Sequence, residues 1–164
     1  MDIGQWNDFF VMVGGGAAAL TGLVFIAMSI NLSIITRDAN HKNRAVATMT
    51  GLSAVFIVCA FALIGNQNYR WVGAEWLIVS LVPLITYIRE YNRARKFGRS
   101  SVGLSIGRFI LGTSCYGAQL IGALLLISGN VTGLYLASAA MVLSFAFFIS
   151  AAWILITSAP DNPV

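Results

Sequence analysis

The chain has 164 residues, 58% of them hydrophobic and 10% charged, with ten Lys and Arg against six Asp and Glu for a formal charge of +4. A mean hydropathy of +0.81 leaves too little polar surface to cover a water-soluble globule of this length. That balance excludes a disordered chain, which needs low hydrophobicity and high net charge, and two cysteines are too few for a disulfide scaffold. No soluble domain exists to present the positive excess to nucleic acid, so the charge reads as membrane topology.

The composition predicts an all-α integral membrane protein: one transmembrane domain over residues 1–164, a bundle of five transmembrane helices at about 9–36, 45–65, 71–88, 109–129 and 131–158. A membrane barrel is excluded because the apolar runs are unbroken, whereas barrel strands alternate over segments of ~10 residues.

The first run follows Met1-Asp2-Ile3-Gly4-Gln5-Trp6, which lacks the basic region of a cleavable signal, so the run is expected to stay as a span. As a helix from Phe9 to Thr36 it would be about 42 Å long, more than a hydrocarbon core of roughly 30 Å, so it tilts or projects its Ser29–Ser33 end into the interface. Val11, Gly15, Ala18, Gly22, Ser29 and Ser33 share one face of that helix. Lipid gives helices no hydrophobic reason to associate, and small residues let backbones approach closely instead. The ridge therefore reads either as a seam inside one bundle or as a subunit contact or pore wall.

The same helix carries Phe9-Phe10, then Gly14-Gly15-Gly16-Ala17-Ala18-Ala19-Leu20-Thr21-Gly22 and Ser29-Ile30-Asn31. This pattern resembles the opening helix of small bacterial multispanning membrane proteins of unassigned function, some of which carry the label "modulator of FtsH protease". The resemblance implies a bacterial inner (plasma) membrane and transfers no catalytic residue.

A basic loop over 37–44 leads to the second span and holds Arg37, Lys42, Arg44 and the single histidine, His41, expected to be solvated. The third span is interrupted by Glu75 and Pro83. Proline cannot donate to the Val79 carbonyl four residues back, which makes Pro83 either a simple bend or a hinge. Arg70 and Glu75 fall at the outer boundary, as an interfacial pair or the mouth of an ion path.

The loop over 89–108 is the most basic part of the chain. Arg93, Arg95, Lys96 and Arg99 are expected at anionic lipid headgroups, each contributing about 1 kcal/mol. Nine of the ten Lys and Arg residues lie in the two loops on one side, with Arg70 alone opposite. The positive-inside rule then puts the N-terminus outside and the C-terminus in the cytoplasm. Trp6, Tyr69, Trp71, Trp76 and Tyr135 fall near the outer boundary and Tyr87, Tyr91 and Trp153 near the inner one, as aromatic belts require.

In the fourth span Ser101, Ser105, Arg108, Gly112, Cys115, Gln119 and Gly122 form one stripe at helical spacing. Gln119 sits near mid-span, where an unsatisfied amide is costly, so it faces protein or water. The stripe reads as helix packing or as the wall of a hydrated path.

Enzyme chemistry finds no support. No His, Cys and carboxylate cluster with metal-ligand spacing occurs, and no phosphate-binding loop. Gly103-Leu104-Ser105-Ile106-Gly107 matches a nucleophile elbow literally, but the elbow needs a strand, a sheet and a histidine partner. The expectation is a non-enzymatic homo-oligomer without cofactor or metal: a passive ion channel lined by helix 4, helix 1 or both. The alternative is a regulator or scaffold partner of another membrane complex, such as a membrane protease.

Overall fold

An apolar run can satisfy its backbone amides in lipid only by bonding within itself, and helix is the regular structure throughout the described chain. A computed structural model describes residues 3–30, 39–64, 67–96 and 102–157. A short 3-10 turn, Ile3–Trp6, leads into α1 (Asn7–Ile30), followed by α2 (Ala39–Ala62), α3 (Tyr69–Lys96), α4 (Val102–Ile127) and α5 (Thr132–Thr157). All five are long and apolar enough to cross a membrane.

The helices overrun the apolar segments at their polar ends. α2 starts at Ala39, six residues before Ala45, and α3 continues eight residues past Ile88 to Lys96. α4 begins at Val102, so both flanks of the connection expected over 89–108 are helical. Hydropathy marks only the apolar part of a helix, whereas a turn already nucleated extends into polar sequence at little cost. The expected ends of the first span at Thr36 and the second at Gly65 lie outside the described residues, as does Ser158 of the fifth. α3 remains helical through Pro83, which is buried.

α4 ends where its sequence dictates. Gly129 has φ +98°, a left-handed conformation that glycine adopts without penalty. It lets the Asn130 amide reach the Leu125 carbonyl at 2.9 Å and the Gly129 amide reach that of Leu126 at 3.0 Å. These are the paired bonds of a Schellman cap. A tight turn follows, in which Asn130 Oδ1 accepts from the Thr132 amide at 3.0 Å and opens α5 as its N-cap.

α2 packs against α1, α3 and α5, α4 lies between α3 and α5, and α1 also touches α5. Trp76, Phe10, Leu52, Leu126, Leu134 and Met141 are fully buried at the centre. The outward faces carry Leu23, Phe25, Ile30, Ile78, Ile110 and Leu143, each more than half exposed. Apolar exposure on this scale belongs to a lipid-facing or partner-facing surface. Trp6 meets Tyr135 edge-to-face at 4.8 Å, which brings the start of the chain beside the α4–α5 turn.

Trp76 corrects the aromatic assignment. It is 0% exposed and packs against Phe10 at 6.2 Å, so it is a core residue and not part of an interfacial belt. Trp71, by contrast, is 69% exposed. The two differ because Trp76 lies on the inward face of α3.

Candidate functional site

Three helices converge on Gln119. Its Nε2 donates to Ser144 Oγ on α5 at 2.8 Å, while Ser80 Oγ and Trp76 Nε1 on α3 donate to its Oε1 at 3.4 and 3.5 Å. An indole is a donor only, so the carbonyl end of the amide must face Trp76 and the nitrogen must face α5. Ser144 completes the chain by donating to the Ala140 carbonyl at 2.9 Å, which leaves its oxygen free to accept from Gln119. Gln119, Ser80 and Ser144 are 5%, 2% and 2% exposed. Each sits near the middle of its apolar helix, at the level where polar groups most need partners.

Gly112, Cys115 and Gly122 of the α4 stripe are also enclosed within the chain. A Cβ on Gly112 would lie 2.6 Å from the Tyr87 hydroxyl, so the tyrosine of α3 rests directly on that backbone. Cys115 is buried and free, as is Cys59, which lies 3.7 Å from the sulfur of Met141. At Gly122 a Cβ would come within 2.8 Å of the Ala137 amide nitrogen and of the Gly133 carbonyl oxygen. α4 and α5 therefore cross with backbones in contact, which only small residues permit. Arg108 and Ser105 lie in the helical part of α4 with side chains outside the described set, and Ser101 lies outside the described residues.

Helix α1 behaves differently. Its inward face is Phe10, Val13, Gly14, Ala17 and Val24, and a Cβ on Gly14 would lie 2.8 Å from Cys59 Cβ of α2. The seam inside the bundle uses this face. The ridge of Gly15, Ala18 and Gly22, with Val11 and Ala19, is exposed, and nothing lies within 4 Å of a Cβ on Gly15 or Gly22. Ser29 is exposed on the same helix and donates to the Phe25 carbonyl at 2.8 Å; Ser33 lies outside the described residues.

Arg70 and Glu75 do not converge. Arg70 reaches toward the Gly129 turn, its guanidinium 3.4 Å from where a Cβ on that glycine would stand. A cation there complements the carbonyl end of α4. Glu75 instead accepts from Gln67 Nε2 at 3.2 Å. Glu75 Oε2 and Gln67 Oε1 are buried without a hydrogen-bond partner among the described residues. Arg93, Arg95 and Lys96 lie on the helical extension of α3, with side chains outside the described set, and Arg99 falls in the 97–101 gap.

Ser80 and Ser144 are the members of the polar cluster that the sequence did not single out. The signal of Ser144 is a hydroxyl in mid-run on α5, which periodicity alone cannot separate from Ser138, also buried but without a hydrogen-bond partner among the described residues. Among the described residues no group of His, Cys, Asp and Glu is placed to hold a metal ion. No protein-family model matches the chain, and neither a curated protein nor a solved structure shows significant similarity to it.

Proposed function

We propose that this chain is a non-enzymatic, membrane-embedded interaction protein that assembles through the outward ridge of α1. The observation that carries this reading is a contrast between glycines. Gly14, Gly73, Gly112, Gly122 and Gly133 each meet a neighbouring helix, whereas Gly15 and Gly22 of α1, like Gly107 and Gly117 of α4, meet nothing, and the two on α1 stand exposed at small-residue spacing with Ala18 and Ala19. Gly15-to-Ala19 and Ala18-to-Gly22 are two overlapping small-xxx-small pairs, the spacing by which membrane helices bring backbones together.

The pore reading takes second place, and α1 rather than α4 is the helix it needs. The α4 stripe from Gly112 to Gly122 is buried and the Gln119 amide is bonded to α3 and α5. Along the exposed face of α1 the groups are Val11, Met12, Leu23, Phe25 and Ile26, more than half exposed and apolar. Such a wall suits a helix contact better than an ion path, which requires polar or charged groups along its length. A second copy of the chain and a different membrane protein both present faces of this kind. The resemblance of the first helix makes a membrane protease one heterotypic partner to test.

Subunit counting by single-molecule photobleaching in liposomes tests the reading, with ion flux recorded from the same vesicles. Loss of assembly in Gly15→Leu and Gly22→Leu, with the fold intact and no flux in the wild type, is the expected result. Flux abolished by Gln119→Leu in a correctly folded protein would return the function to a path through α4.

A further inference from the structure

Beside Gln119 lies a small cavity lined by Ser80, Gln119, Tyr116, Gly51, Pro83 and Phe148. It offers about 10 Å³ to the centre of a water molecule, close to the room that one bound water occupies. Gly51 helps to define this space: a Cβ there would run into the Phe148 ring, so ring and bare backbone fit together as one wall.

The chemistry of that wall decides whether the cavity is wet. A void lined only by aliphatic groups stays dry, whereas one with two or more polar partners holds an ordered water. Gln119 Oε1 faces donors only at 3.4 and 3.5 Å, long for hydrogen bonds, and so keeps acceptor capacity. Ser80 donates its hydroxyl proton to that oxygen and retains its own lone pairs. The Gln119 and Ser80 oxygens are thus two acceptors beside the cavity, and a water brings two donors.

We propose that this cavity binds a single ordered water, which donates to the oxygens of Ser80 and Gln119 and so ties the proline-containing stretch of α3 to α4. The proposal is independent of how the chain assembles, because every group it uses is interior.

Radiolytic hydroxyl labelling of the full chain in lipid nanodiscs, read by mass spectrometry, is the test. Radicals form from water in place, so a buried side chain is oxidised only where a water adjoins it. Tyr116 and Phe148, each 4% exposed, are expected to be modified several-fold faster than Phe10, a fully buried aromatic away from the cavity. Ala54→Leu, which fills the cavity from α2, is expected to bring Phe148 down to the Phe10 rate with helicity and elution unchanged. Ser80→Ala removes one acceptor and is expected to slow labelling of Tyr116, so the test does not depend on a single variant folding. Equal rates at Phe148, Tyr116 and Phe10 in the wild type would overturn the proposal. So would undiminished labelling in a folded Ala54→Leu protein, which would mean that bulk water reaches these rings by another route.

Discussion

Gln119 on α4 donates to Ser144 on α5 at 2.8 Å, and Ser144 hands its own proton to the Ala140 carbonyl at 2.9 Å. The pair makes a directed link between two helices that otherwise meet through close glycine contacts and the rings of Tyr116 and Phe148. In Gln119→Ala the Trp76 indole, the Ser80 hydroxyl and Ser144 lose their common partner, at an expected loss of about 1–3 kcal/mol in stability. Ser144→Ala should cost less, since it frees only the Gln119 amide. A double-mutant cycle in mixed micelles should return a coupling near ~0.6 kcal/mol and below ~1.7 kcal/mol, the range of interhelical bonds in membranes.

Glycines on the two sides of the bundle should respond in opposite ways. A Cβ on Gly133 would strike the Gly122 carbonyl oxygen and lie 2.9 Å from the Leu126 amide nitrogen, both backbone atoms that cannot swing aside. Gly133→Ala is therefore expected to lose about 1–3 kcal/mol, as overpacked sites do. Gly15→Ala meets nothing within 4 Å and should leave protomer stability unchanged or slightly raised. Unfolding of monomers held at high detergent ratio separates the two.

Glu75 and Gln67 form a half-satisfied pair, with one oxygen of each buried and without a donor among the described residues. Glu75→Gln keeps the shape and supplies an N–H₂ group, so it is expected to stabilise the fold by about 1 kcal/mol. A rise in thermal midpoint in detergent would show it. A fall would mean that the carboxylate charge has a partner of its own.

The helical architecture was legible from the sequence because apolar run length is a direct signal, and it located five helices without a template. The choice of inward face was not. α1 is apolar all round, so Phe10 and Val13 and the opposite Val11 and Met12 look equivalent to any periodicity argument, and packing against α2 decided between them. Gln119 was legible as a group that must face protein, because its amide has no other affordable place in an apolar helix. Its partners were not, since Ser80 and Ser144 are separated from it by 39 and 25 residues. Trp76 went to the interface on the sequence because it is close to a helix end, and only the three-dimensional contact with Phe10 and Gln119 shows its role.

Cysteine cross-linking along α1 in liposomes tests the central claim most directly, with Cys59 and Cys115 first replaced by alanine. The account predicts dimers from Gly15→Cys, Ala18→Cys and Gly22→Cys, and none from Val13→Cys or Ala17→Cys, which point into the bundle. Cross-links confined to α4 positions, or an absence of cross-links to any protein along the whole exposed face of α1, would contradict it.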